Sequence, residues 1–172
     1  MAVKRNSTGS QPSPQLTFLE MRGLAVRAAD KLDIPRLMPL IHQYWELEQI
    51  PGFKAERIEA VLSRLLAQPH LGSIWVAQSG QSYLIAVFIL SLEHQGLMAE
   101  IDELFVIAAE RGRGIGGALL AAAEGALAAE GCVRLQLQLG VSNGPARAFY
   151  EQRGYRQRAG YELLDKDLCS SG

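Results

Sequence analysis

The 172-residue sequence is poor in the residues that build covalent or metal-held scaffolds. It has two cysteines, Cys132 and Cys169, and three histidines, His42, His70 and His94. The cysteines form no C-x-x-C pair and the histidines are scattered, so no metal site is expected. The spaced cysteine framework of a secreted domain is missing too, which favours a cytoplasmic setting. Excess charge is also lacking. The 17 Lys and Arg against 18 Asp and Glu leave a net charge of −1, which argues against a nucleic-acid partner. No apolar run reaches the ~18 residues that span a membrane. The longest, Tyr83 to Leu92, is strand length, so no membrane partner is expected.

The first residues are a different material from the rest. Met1 to Gln15 is rich in Ser, Pro, Gln, Asn and Gly, with Lys4 and Arg5 and no acid. Such a segment cannot bury enough apolar surface to fold, so residues 1–16 are read as a disordered tail. It has no apolar core, which argues against a signal peptide; its acid-free, Ser-rich composition leaves a transit peptide as the alternative. Residues 17–172 read as one domain. Apolar residues make up 48% of the sequence and charged residues 20%, as in a soluble globular protein. A chain of this size buries roughly two thirds of its unfolded surface and needs no staples.

Periodicity then orders the elements. Leu24 to Ala28 reads as a short first strand. Ile34, Leu37, Leu40, Ile41 and Tyr44 recur at three- and four-residue spacing, so a helix is expected from about Asp33, with Pro35 tolerated in its first turn. Pro51-Gly52 ends that region, and a second helix runs over about Lys54 to Ala67. Ser73 to Gln78 is a strand, followed by a turn at Ser79-Gly80. Ser82 to Glu93 is a long strand whose continuous apolar middle implies two covered faces. Met98 to Ile107 is the fourth strand. An Ala- and Leu-rich helix covers Gly114 to about Ala129 and stops at Gly131. Val133 to Leu139 alternates with a period of two, as a strand with one wet face does. Pro145 to Gln152 is a short helix. Tyr155 to Ala159 and Tyr161 to Asp165 read as a final hairpin across Gly160. The order β-α-α-β-β-β-α-β-α-β-β is that of an α/β mixed sheet with helices packed on it.

The most informative stretch is Glu103 to Leu120, ELFVIAAERGRGIGGALL. A strand runs into a glycine-rich loop and then a helix. Gly112, Gly114, Gly116 and Gly117 leave backbone N–H groups unshielded by side chains. The first N–H groups of the helix lack intrahelical partners, and the helix dipole adds roughly half a positive charge there. A pyrophosphate fits this arrangement, and Arg111 and Arg113 add positive charge. No Lys-Ser or Lys-Thr follows the glycines, so a Walker loop is excluded. The letters at 112–117 match G-x-G-x-x-G. A dinucleotide site, however, needs an acid at the end of the next strand, and Leu139 to Ser142 supplies none.

Two separated patterns resemble the GNAT acyltransferase superfamily. Arg111-Gly112-Arg113-Gly114-Ile115-Gly116 meets its loop motif. Asn143, Ala146, Phe149-Tyr150 and Gly154-Tyr155 stand at the spacings of its downstream signature, and Val26 to Ala29 is similar to its first strand. The resemblance covers about residues 24–167 and is sharpest over 98–155. It implies an α/β fold with a mixed, mostly antiparallel seven-stranded sheet, four flanking helices, and a splayed parallel pair of strands, the fourth and fifth. It implies acetyl-CoA as co-substrate. The pantetheine arm would lie along Phe105, Val106 and Ile107, and the loop Arg111, Gly112, Arg113, Gly114, Ile115, Gly116 and Gly117 would hold the pyrophosphate. Asn143, Ala146 and Phe149 complete the coenzyme residues by the same resemblance. A homodimer is also compatible with it.

The implied reaction is attack of an amine on a thioester. An alkylamine with pKa ~10.4 is mostly protonated at neutral pH, so a base must take its proton. The fourth strand offers Glu100, Asp102 and Glu103. In a regular strand Glu100 and Asp102 share one face and Glu103 points to the other. Either Glu100 or Asp102 is the expected base; Glu100 falls where the histone-acetylating branch carries its base, and Asp102 where the polyamine-acetylating branch carries a glutamate. A bulge would scramble the face argument. By the same resemblance Tyr150 is the general acid that protonates the leaving thiolate, and a backbone N–H near Val106 meets the oxyanion. Cys132 reads as a small hydrophobe. Tyr44, Trp45, Glu46 and Glu48 are the candidate amine pocket. A small-molecule amine is the expected acceptor. A protein or peptide amine, and a non-catalytic acyl-CoA sensor, are the alternatives.

Overall fold

The computed structural model describes residues 24–168; the N-terminal tail expected at 1–16 lies outside them. The described chain forms β1 (Val26–Ala28), α1 (Ile34–Leu47), α2 (Ala55–Ala67), β2 (Gly72–Ala77), β3 (Ser82–Ser91), β4 (Gly96–Val106), α3 (Ile115–Ala129), β5 (Arg134–Leu137) and α4 (Gly144–Glu151). One-turn 3-10 helices precede α1, β2 and α3. The chain divides after Leu137 into two units. No helix among the described residues is long and apolar enough to cross a membrane.

The first unit holds the sheet, in the order β1-β2-β3-β4-β5. The first four strands pair antiparallel, and β5 pairs parallel to β4. The mixed sheet with a parallel fourth and fifth strand is as expected, and so is the number of α-helices, four among the described residues. The apolar stripe of α1 (Ile34, Leu37, Leu40, Ile41) and Leu62 and Leu65 of α2 pack on one sheet face. That face is built by Ile74, Val76, Tyr83, Ile85 and Phe105. Side chains one residue on along each strand point the other way. Leu84 and Ala86 are accordingly buried on the opposite face, and α3 lies against β1 to β4. The helix α3 is apolar almost all round, burying Ile115, Ala118, Leu119, Leu120, Ala123 and Leu127, as a helix laid across a broad sheet must.

A polar cluster fixes the entry into α1. Asp30 Oδ1 accepts from Leu32 N at 2.7 Å, and Asp33 Oδ2 accepts from Asp30 N at 2.9 Å, a reciprocal capping box. Asp33 also receives both Arg27 guanidinium nitrogens at 2.7 Å, so strand β1 and the start of α1 are tied together. The Arg27 hydrogen bond holds the Asp33 carboxyl below its usual range, against the cost of burial.

The second unit contains α4 and the segment after it. Residues 155–168 form no strand, so the sheet has five strands among the described residues and not seven. Alternation at Tyr161 to Asp165 supplies a strand's side-chain pattern but not a strand's partner. No backbone ladder involves these residues, and Tyr161, Leu163 and Leu164 stay exposed. Without a paired edge and a covered face, an alternating segment gains nothing from extension.

Asp33→Asn removes the charged half of the Arg27 pair. Because Arg27 is half in solvent, the expected loss is about 1–2 kcal/mol at pH 7 by denaturant titration. The Asp33 carboxyl is lowered on folding, so its contribution is present above the unfolded value of 3.8 and fades as pH falls through the folded value. The gap between the two proteins should therefore close in acid.

Candidate active site

The candidate carboxylates lie toward the end of β4, and a β-bulge sets their placement. Ile85 pairs with Glu103 and the next residue, Ala86, pairs with Ile101, so Asp102 is an extra residue in β4. Cross-strand partners share a face. Tyr83, Ile85 and Val87 alternate onto the α1 face, and their partners are Phe105, Glu103 and Glu100. The bulge therefore brings Glu100 and Glu103 to the same face, which corrects the assignment drawn from regular alternation. Asp102 is left as the unpaired residue.

The three carboxylates have different surroundings. Glu100 Oε2 accepts from Gln136 Nε2 at 2.6 Å, across the β4–β5 pair. Asp102 is open to solvent by area, yet packed atoms desolvate its carboxylate and the Glu100 charge repels it. Both raise its affinity for a proton, and its exposure limits how far. Glu103 is held by two donors. Its Oε2 accepts from Tyr83 Oη at 2.6 Å and its Oε1 from Trp45 Nε1 at 3.1 Å. Burial raises the Glu103 carboxyl, the two hydrogen bonds pull it down, and the Asp102 charge pushes it up again; the net direction is upward. Tyr83 has no exposed surface, and burial holds its phenol far above the ordinary range, so it stays protonated and donates.

On its other edge β4 is open. Pairing with β5 runs from Met98 to Ile101 and stops one residue before the bulge. Phe105, Val106 and Ile107, the expected coenzyme backbone, lie beyond that point. Phe105 is buried against Tyr83 and Tyr44, which fixes the strand's position, and the Ile107 carbonyl accepts from Glu110 N at 2.9 Å.

After Ile107 the chain makes one 3-10 turn, Ala108–Glu110, and enters the glycine loop. Two clamps hold this turn. Arg111 Nε donates to Val106 O at 2.9 Å. Glu110 Oε2 accepts from Ser79 Oγ at 3.0 Å and from the fully buried Ser82 Oγ at 3.2 Å. Gly112 and Gly114 then take φ of +74° and +86°, a region that favours glycine. Gly114 is the N-cap of α3, and no side chain caps the helix. The first turn of α3, at Ile115, Gly116 and Gly117, thus has no side-chain cap, and Arg111 and Arg113 are exposed. A cavity of about 30 Å³ beside Ile115, Leu24 and Ser79 is water-sized and is not where a coenzyme fits.

In the second unit, Asn143 caps α4, its Oδ1 accepting from Ala146 N at 3.2 Å. Tyr150 is buried, edge-on to Phe149 at 5.1 Å and Tyr155 at 5.3 Å. Burial pushes its phenol up to about 12, so it carries its proton at neutral pH. Arg153 lies over the Phe149 ring at 3.8 Å.

The expected amine pocket divides in two. Tyr44 and Trp45 are half-buried and turned to the β4 face, through Phe105 and Glu103. Glu46 and Glu48 are exposed, and Glu46 Oε1 stands 3.9 Å from His42 Nε2. Phe53 packs edge-on against both Trp45 and His42, folding the α1–α2 connection back onto α1. Sequence reasoning offered Glu103 but on the face away from Glu100, and it missed Tyr83. Only the register across the bulge aims Glu103 at Tyr83 and Trp45. Among the described residues no group of His, Cys, Asp and Glu could hold a metal ion.

The model of the acetyltransferase (GNAT) family matches residues 36–155. The uncharacterized N-acetyltransferase YhfO of Bacillus subtilis (strain 168) is 30% identical over 139 residues, which cover 79% of this chain and 92% of that protein. Among solved structures, the integron cassette protein HFX_CASS3 from the mobile metagenome of Cole Harbour Salt Marsh is similar with a TM-score of 0.73 at 24% identity, covering 84% of this chain and 91% of that one. An aminoglycoside acetyltransferase from an uncultured soil metagenomic sample, solved with sisomicin, matches with a TM-score of 0.67 at 18% identity, covering 86% of this chain and 99% of that one. At these identities the two structures show a shared fold.

Proposed function

Since the chain belongs to the acetyltransferase (GNAT) family, we propose that it moves an acetyl group from acetyl-CoA to the primary amine of a small molecule, by direct attack in a ternary complex. The observation that carries this reading is the continuous run from the open edge of β4, through two left-handed glycines, to the uncapped start of α3. The diphosphate of acetyl-CoA suits that run. Main-chain N–H groups and the α3 dipole offer fixed positive ends, Gly112 and Gly114 leave no Cβ in the way, and Arg111 and Arg113 add mobile charge. Acetyl-CoA supplies the acetyl group as an activated thioester. The main chain of Phe105, Val106 and Ile107 orients the pantetheine arm as a strand would, with Asn143, Ala146 and Phe149 as further contacts. A backbone N–H near Val106 faces the developing oxyanion, a fixed dipole that needs no rearrangement during reaction.

Asp102 is the base. Glu100 is engaged with Gln136, whereas the bulge leaves Asp102 in reach of solvent with its proton affinity raised. A base works best when its pKa approaches the working pH, so a raised aspartate serves better than an ordinary one, directly or through one water. Tyr150 is the acid. It is protonated at neutral pH, and its proton, or a hydrogen bond from it, stabilises the departing thiolate. The folded-back α1–α2 connection supports a small acceptor over a protein segment, since it closes space along α1. The overall test is a panel of amines scored by thiol release from acetyl-CoA; a panel without any acceptor would reject the activity.

Gly116→Val places a side chain in the first turn of α3, where helical φ tolerates it. Acetyl-CoA affinity measured by calorimetry should fall about tenfold or more, one lost anion contact being worth over 1 kcal/mol; unchanged affinity would remove the loop assignment. Tyr150→Phe should lower kcat by about 100-fold, the low end for an acid–base group, with coenzyme affinity kept. Equal turnover would end its role as acid. In a profile of kcat/KM against pH, the acid limb should lie above the ordinary aspartate range, because activity needs Asp102 deprotonated and its carboxyl is raised. Asp102→Asn should abolish that limb, and an unmoved profile would exclude it as base.

A further inference from the structure

Arg111 stands at the edge of β4 that the coenzyme reading gives to the pantetheine arm. Hydrogen-bonded and non-bonded pairs alternate along antiparallel strands. Gln78 N donates to Ala25 O and Ala29 N to Ile74 O, so Ile74 and Val76 turn their main chain to β1, and Trp75 turns its own to β3. Carried through the registers, Tyr83 and Ile85 exchange bonds with Phe105 and Glu103, while Leu104 and Val106 turn N–H and C=O to the opposite edge. Before the bulge that edge meets β5, where Leu97 O accepts from Val133 N at 2.7 Å. After the bulge, Val106 is the last residue of β4 to face the same way.

A ligand laid along this edge as an added strand needs the C=O of Val106 as well as its N–H. That carbonyl already has a donor, Arg111 Nε at 2.9 Å. A carbonyl oxygen has two acceptor directions, but a guanidinium is a broad planar fork, and an added strand needs the space beside the carbonyl too.

The contact is one that exchanges readily. It is exposed, and the turn that carries Arg111 is also held by Glu110, which accepts from Ser79 and the buried Ser82. The ion pairs among the described residues are Arg27–Asp33 and His42–Glu46, so no carboxylate holds the guanidinium. A phosphate offers the fork charge-assisted, bidentate bonds, each roughly twice as strong as a neutral one. Arg111 lies three residues before Gly114, the N-cap of α3, close enough in the chain for its long side chain to serve an anion held there.

We propose that Arg111 is a specificity-determining residue for the acyl donor. Its side chain covers the Val106 carbonyl until a diphosphate draws it away, so only a thioester that carries the diphosphate obtains the full β4 edge. Donors of one class are thereby disfavoured, acyl-pantetheine and other short thioesters. Acetyl-CoA as the donor is taken from the proposed function; the β4 edge and its arginine are taken from the geometry alone. Arg113, beyond Gly112, is exposed and carries the same charge, and it serves as the control.

Pantetheine, inorganic pyrophosphate and coenzyme A are titrated into the full chain, followed by the Val106 amide and the Arg111 Nε–H resonances. In the wild type, pyrophosphate and coenzyme A should both shift the Arg111 signal. Saturating pyrophosphate should tighten pantetheine binding about three- to tenfold, the effect of releasing one competing hydrogen bond. Arg111→Ala, checked by thermal melting, should bind pantetheine tighter without pyrophosphate, lose the response to it, and bind coenzyme A more weakly. Arg113→Ala should weaken coenzyme A binding without tightening pantetheine. Pantetheine affinity that falls or stays level in Arg111→Ala overturns the proposal, as does pyrophosphate that leaves wild-type pantetheine affinity level. If Arg111→Ala fails to fold, the wild-type pyrophosphate series still decides. Coenzyme A that binds here while acetyl-CoA acetylates no amine would reject the acetyltransferase reading and leave the Arg111 result standing.

Discussion

A β-strand with one edge unpaired must find partners for its exposed N–H and C=O groups, and that constraint organises the site. β4 is paired with β3 along its whole length but with β5 only as far as Ile101. At the next residue the strand bulges, and from there to Val106 one edge stays open. A protein of this size does not need to leave such an edge; a longer β5 would close it. The open stretch leads through one 3-10 turn into the glycine loop and the uncapped start of α3.

Several otherwise separate features serve to hold that stretch still. Ser82 and Ser79 share the Glu110 carboxylate, which pins the turn before the glycines to the β2–β3 hairpin. Arg111 returns to the carbonyl of Val106. The broad apolar contact of α3 with β1 to β4 fixes where the helix begins, and therefore where its dipole points. On the opposite face, the Arg27–Asp33 pair sets the start of α1, and α1 in turn carries Tyr44 and Trp45 to β4. Packing on the two faces thus fixes the start of α3 and the α1 side of β4 independently. The bulge shapes the latter, because it frees Asp102 and rotates Glu103 under α1.

The boundaries of most elements were legible because each rests on a local signal. The stripe from Ile34 to Tyr44, the Ala-rich run after Gly114 and the glycine loop itself depend on residues within a few positions of one another. The final hairpin was not legible, because alternation at Tyr161 to Asp165 describes what a strand looks like and not what it pairs with. The carboxylates of β4 were visible as candidates. Their faces were not, since a single extra residue at Asp102 reverses the parity of everything before it, and its presence is set by the register against β3. The partners of Glu103 are 20 and 58 residues away in sequence, so no spacing rule points to Tyr83 or Trp45. Asn143 was read as a coenzyme contact by likeness. Its side-chain oxygen caps α4, a role that composition at a helix start equally predicts.

The account stands or falls on whether main-chain groups along the open edge of β4 and the start of α3 take up the coenzyme. Backbone amide resonances followed during titration with coenzyme A test this directly. The amides of Val106, Ile107 and Gly112 to Gly117 should shift together with one saturation curve, and their exchange with solvent should slow. Saturable binding that leaves these amides in place, or shifts only residues remote from β4 and α3, would contradict it.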